Sequence, residues 1–330
     1  MRALVALLLL AACGSSSGPG VQGDDAPMDA DAGSGSDSGP PGVKTFQIKT
    51  PAITVHSGEE VTYCYYFHTP NTEALAIHKW SSNLSSGVHH AVMFTTHGDF
   101  QPVGTMTTQN CTFSDFTTLQ SSAIWTYASE TATDTVELPA DDGAGKPLAQ
   151  LIPAGTSGFV QIHYLNLGDS TVNANVTIDA EALPDATDYT PTAPYITYQT
   201  ELDIPAATNG VSFTQTCNTP TDAKFWRMSM HAHKHAALTE VLNGMPTSTD
   251  VAFTSTDWNN PGATEWMATP FYTFTGDKLT FSCTYNNAGP IALHAGERAD
   301  KDEMCMATGY LFPATEPELC VCAGTNCVYP

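Results

Sequence analysis

The chain has 330 residues, with 34 acidic side chains against 11 basic ones and a formal net charge of −23. That balance excludes a protein that grips nucleic acid through a basic surface, because phosphate binding needs clustered Lys and Arg. Only 14% of residues are charged, while Gly and Pro number 25 and 22, which favours strands and turns over a helical bundle. The length suits two domains of ordinary size, and nine cysteines fit an oxidising compartment.

Residues 1–12 carry one positive charge, at Arg2, before an apolar run too short to cross a bilayer. They read as a signal peptide. Leu10-Ala11-Ala12-Cys13 looks like a bacterial lipobox, which implies that Cys13 is lipidated and begins the mature chain. Residues 13–43, made largely of Gly, Ser, Pro and Asp, cannot build a core and read as a flexible tether. Gly14, rather than Asp, follows Cys13. By similarity to bacterial sorting rules this points to the outer membrane, on its periplasmic face or at the cell surface. The expected location is the bacterial cell envelope, with the membrane contacted through the lipid anchor only.

From residue 44 the pattern becomes one of short strands divided by Gly, Pro and Asp turns: EVTYCYYFH (60–68), GVHHAVMF (87–94), GFVQIHYLN (158–166) and TVNANVTID (171–179). Residues 184–194, with three prolines, read as a linker. Strands resume beyond it, and no long amphipathic helix is evident. The expected fold is all-β, with two tandem antiparallel β-sandwiches of jelly-roll type over residues 44–190 and 191–330.

Without Cys13 eight cysteines remain, an even number that suggests four disulfides. Two lie in the first half and six in the second. If bridges stay within domains, Cys64 pairs with Cys111 by elimination. Zinc ligation by Cys320, Cys322 and Cys327 is disfavoured, because their spacing is not that of a two-cysteine knuckle.

Histidines supply the candidate ligands. His231 and His233 lie two apart in a strand-like run, so both rings share one face; His235 shares it as a spare. His89 and His90 are neighbours, and a regular strand sends neighbours to opposite faces. Either one alone is a ligand, or the strand ends or bulges there. His163 shares a strand face with Phe159, Gln161 and Leu165. His56, His68, His78, His97 and His294 read as surface or loop residues.

VHHAVMF (88–94), QIHY (161–164), His231-Ala-His233 and Asp302-Glu-Met-Cys305 together, in this order, resemble the copper type II, ascorbate-dependent monooxygenases. The resemblance extends over nearly all of residues 45–327. It implies two coppers per chain, facing an interdomain cleft. One would be held by His89, His90 and His163, and the other by the catalytic set His231, His233 and Met304. It also implies disulfides Cys64–Cys111 and Cys283–Cys305, a bond from Cys217 to Cys320 or Cys322, and a last pair between the two remaining cysteines. A thioether beside two imidazoles suits a copper that visits the reduced state, whereas zinc rarely uses Met.

The implied reaction hydroxylates a C–H bond of a small organic substrate, with O2 and ascorbate or a similar electron donor. Peptide-amidating relatives carry an Arg two residues before the first His of the HxH pair; here Ser229 stands there, and the nearest arginine is Arg227. Met306 and Thr308 replace an Asn and a Tyr that help hold the peptide. A peptidylglycine substrate is therefore not expected, since a guanidinium is not replaceable by a hydroxyl. A copper-handling lipoprotein without turnover is the rival reading. A zinc hydrolase and a blue-copper protein rank lower, the last because disulfides leave no free thiolate.

Overall fold

A computed structural model describes residues 43–111, 123–299 and 301–329. The signal-peptide segment, Cys13 and nearly all of the expected tether lie outside the described residues. The described residues fall in one compact unit. The chain is all-β, and the single helical element among the described residues is a short 3-10 turn, Thr275–Asp277. No helix among them is long and apolar enough to cross a membrane.

Strict alternation writes the sheets. In Thr45–Lys49, Phe46 and Ile48 are buried between exposed neighbours, and Val176–Ala182 buries every second residue. These strands belong to a six-stranded sheet that also holds Leu75–Leu84, Thr133–Glu137, Leu148–Ile152 and Thr190–Pro191. Residues of the segment read as a linker thus enter sheets: Thr190–Pro191 pairs in parallel with Leu148–Ile152, and Ala193–Gln199 follows at once. A five-stranded sheet runs in the order Met106–Thr107, Glu60–His68, Ser157–Leu165, Val88–Thr96, Ala123–Ser129. Trp80, Ile77 and Ile178 of the first sheet share an apolar core with Met93, Val160 and Ile162 of the second.

The second half repeats the plan. Lys224–Ala232, Cys305–Phe312, Ala193–Gln199 and Glu318–Ala323 are consecutive neighbours in a six-stranded sheet, and Thr208–Asn218, Lys278–Asn287, Ala236–Asn243 and Val251–Ser255 form a four-stranded one. Phe225, Val241, Phe281 and Tyr285 fill the core shared by these sheets. A third cluster joins Tyr66, Phe94 and Phe159 of the five-stranded sheet to Ile196, Tyr198 and Met306 of the later six-stranded one and to Met304, just ahead of its strand Cys305–Phe312. The two sheets that carry the candidate ligands are therefore held together by buried apolar surface, at about 25 cal/mol per Å² removed from water.

Among the described residues four disulfides are present: Cys64–Cys111, Cys217–Cys320, Cys283–Cys305 and Cys322–Cys327. The C-terminal cysteines are thus spent in bridges rather than held as zinc thiolates.

Candidate metal centre

His163 sits in the middle of the five-stranded sheet, 2% exposed, with His90 as its cross-strand partner. The ladder between Val88–Thr96 and Ser157–Leu165 then slips: His163 faces His90, but Tyr164 faces Val88. His89 is the extra residue of a β-bulge. The bulge settles the geometry left open by the sequence, because it re-aims His89 to the side on which His90 lies. The Nδ1 atoms of His89 and His90 face each other at 3.0 Å, and one ring nitrogen from each of His89, His90 and His163 lies within 4.8 Å of the others.

The second set comes from the later sheet. His231 lies in Lys224–Ala232 and His233 follows its end. His231 pairs across the ladder with Met306, two residues from Met304. His231, His233 and Met304 line one small pocket of about 30 Å³ together with His90 and His163. The two sets touch: the His90 and His231 rings are 5.3 Å apart, as close as His231 is to His233 at 5.2 Å. His235 is not in this pocket. Its Nδ1 donates to Glu303 at 2.8 Å, since the chain turns after His233 and the alternation ends.

Two carboxylates and one backbone carbonyl orient the rings. His163 Nε2 donates to Glu60 Oε1 at 2.8 Å, which leaves a buried Nδ1 without a partner. His231 Nδ1 donates to Glu130 Oε1 at 2.7 Å, leaving Nε2 for a ligand bond. His233 Nδ1 donates to the Asp302 carbonyl at 3.1 Å, and its buried Nε2 has no partner. Glu303, 0% exposed, accepts from the backbone N–H groups of His233 and His235 and fixes the turn beyond the HxH pair. Glu60 also accepts from the Ala299 N–H, on the loop that leads to Met304. Replacing Glu303 by Ala is expected to cost about 3–5 kcal/mol, because buried N–H groups lose a charged acceptor; the urea midpoint of unfolding measures it.

Burial, reinforced by the nearby His163 and His231 rings, pushes His89 down to about 4 and His90 well below the usual imidazole value. Burial likewise pushes His233 down. His231 behaves differently: burial lowers it, but Glu130, through its charge and its hydrogen bond, together with the charges of Glu297 and Glu303 leaves it above its ordinary value. Neutral rings with one nitrogen tied to an acceptor and the other aimed inward are what a metal needs. The orphaned nitrogens of His163 and His233 show that the donor set fits a metal ion. Imidazoles with one thioether fit copper.

Residues 194–329 match the family described as copper type II ascorbate-dependent monooxygenase, C-terminal domain. The match covers less than half of the chain. The matched monooxygenase region contains His231, His233 and Met304; the His89, His90 and His163 set lies outside it. No curated protein matches the chain. Among solved structures, PBSX exported protein XepA is 8% identical, covering 80% of this chain and 86% of that one, with a TM-score of 0.17. PBCV-1 VP54, fitted into a reconstruction of the virophage Sputnik, is 7% identical, covering 81% and 93%, with a TM-score of 0.26.

A second pocket of about 230 Å³ adjoins the first and shares Trp125, Ala128 and Glu130 with it. Ser229 and Thr308, cross-strand partners, line it with Arg227. The Ser229 hydroxyl donates to the Gly262 carbonyl, and the Arg227 guanidinium is engaged by Glu265. Glu60 and Glu130 escaped sequence reading, because only folding brings them to the histidines. Glu303 stands inside the Asp302-Glu-Met-Cys305 motif and was findable there.

Proposed function

We propose that the chain is a copper-dependent monooxygenase that hydroxylates a C–H bond of a small organic substrate with O2 and an ascorbate-like donor. The observation that carries this reading is the convergence of His231, His233 and Met304 with His90 and His163 on one buried pocket. Copper, when bound, supplies the one-electron redox chemistry that oxygen activation requires.

The protein's own part is positional. Glu130 holds the proton on Nδ1 of His231, and the Asp302 carbonyl holds that of His233, so each presents Nε2. Glu60 holds the proton on Nε2 of His163 and leaves Nδ1 as donor. His89, His90 and His163 would hold one copper, and His231, His233 and Met304 the other. The first pocket is too small for more than a water-sized group, so the substrate belongs in the adjoining one. There the guanidinium of Arg227 is already paired, which disfavours a carboxylate-bearing substrate such as peptidylglycine. A lipid anchor at Cys13 would hold the enzyme in the bacterial envelope.

The test is copper titration with oxygen uptake under ascorbate. Two coppers per chain and a hydroxylated product are expected; copper binding without uptake across a broad substrate panel overturns the catalytic reading in favour of copper handling. Loss of an orienting partner typically weakens metal binding about 10–100-fold. Glu130→Ala is expected to do so at the His231 site and Glu60→Ala at the His163 site, read by competition with a chelator. Because the His90 and His231 rings touch, the Cu(II)-loaded chain is expected to show spin coupling in its EPR spectrum.

A further inference from the structure

Away from the histidines, four sulfurs from two bridges form a single cluster. Cys217, Cys320, Cys322 and Cys327 have sulfurs all within 4.8 Å of one another. Cys322 and Cys327 oppose each other across the hairpin made by Glu318–Ala323 and Asn326–Val328. Cys320 and Cys322 are two apart on one strand and so share a face. In consequence Cys322 Sγ lies 3.9 Å from Cys217 Sγ and 3.9 Å from Cys320 Sγ, touching both ends of the other bridge.

Access is unequal. Cys217, Cys320 and Cys322 are fully buried, while Cys327 is half-buried on a strand whose other residues are exposed. Thiolates open disulfides by direct attack on sulfur, so reach decides which bridge opens first. We propose that Cys327 is a modification site for a small-molecule thiol, and that Cys322 relays the exchange to the buried Cys217–Cys320 bridge. In the first step the thiolate sulfur bonds to Cys327 Sγ, the Cys322–Cys327 bond breaks, and Cys322 leaves as a thiolate. In the second, Cys322 Sγ bonds to Cys217 Sγ, the Cys217–Cys320 bond breaks, and Cys320 leaves as a thiolate that takes a proton. Each step exchanges one disulfide for another, and no net electron is gained or lost.

The consequence is mechanical. Cys217–Cys320 ties Thr208–Asn218 of the four-stranded sheet to Glu318–Ala323 of the six-stranded one; the relay keeps these strands linked but moves the anchor two residues along the second, from Cys320 to Cys322. Cys283 and Cys305, equally buried, belong to no such group among the described residues and serve as the internal control. None of this depends on copper.

Cys327→Ser in the full chain tests the relay without any added thiol. Alkylation after acid quenching, followed by peptide mapping, is expected to find the free thiol shared between Cys322 and Cys320. A thiol confined to Cys322 overturns the proposal. A second measurement covers a variant that does not fold: wild type exposed to glutathione, trapped over time. Glutathione on Cys327 is expected first, then opening of Cys217–Cys320 while Cys283–Cys305 stays closed. In Cys322→Ser/Cys327→Ser that opening should slow at least about tenfold, because the attacking sulfur is gone. Equal rates in the two proteins overturn it.

Discussion

Replacing Cys283 and Cys305 together by serine is expected to lower the unfolding free energy by about 3 kcal/mol, the chain-entropy value for a loop of this length. The bridge spans 22 residues and closes a loop that ends in Met304. Inside it the Tyr285 hydroxyl donates to the Met304 carbonyl at 2.6 Å, and Arg298 pairs with Asp302. Gly296 approaches Asp302 so closely that a Cβ would lie 2.7 Å from its carboxyl group. Without the staple these local contacts must order the loop alone. The thioether is therefore expected to leave the His231 and His233 site before the sheet unfolds. Urea unfolding reads the first effect. Sulfur scattering in the X-ray absorption spectrum of the Cu(I)-loaded chain reads the second. A variant with an unchanged midpoint and retained copper–sulfur scattering would show that the loop is held by packing.

The metal-free chain is expected to lose stability as pH falls from about 6.5 towards about 4. His89 titrates near 4 when folded and near 6.5 when unfolded. Between those values the unfolded chain binds the extra proton, so acid favours unfolding. Below the lower value both states are protonated, and the loss levels off at about 3 kcal/mol for this ring. His90 and His233 are shifted in the same direction and add to the loss. His231 opposes it, because its raised value gives stability that is full below the unfolded value and disappears as pH rises through the folded one. Carboxylates titrate in the same window, so the informative quantity is the difference between wild type and His89→Gln. That difference should change by about 3 kcal/mol between pH 7 and pH 4. A constant difference would mean that His89 is free to protonate in the folded chain.

Much of the fold was legible because alternation is a local signal. Thr45–Lys49 and Val176–Ala182 each declare a buried face in their own residues. The pairing partners are not local, and the sequence offered no reason to seat Leu148–Ile152 beside Thr190–Pro191. The ligand motifs were readable as short words, since HxH and Asp302-Glu-Met-Cys305 keep their chemistry in sequence. Their setting was not. Glu60 lies more than 100 residues from His163, and Glu130 reaches His231 across a similar distance. A lone glutamate at the start or end of a strand looks like solvated surface. His235 shows the converse: its spacing fits the HxH face, but a turn after His233 hands it to Glu303.

The bulge at His89 carries a consequence for which changes this protein tolerates. Strand geometry counts residues, so one deletion there would restore strict pleating and leave a single imidazole facing inward. Substitutions nearby alter shape or charge by degrees, whereas a one-residue indel exchanges inside for outside along that stretch of strand. Residue count at this point is therefore as much a part of the centre as ligand identity, and a shortened chain with every histidine intact is expected to lose the three-nitrogen site.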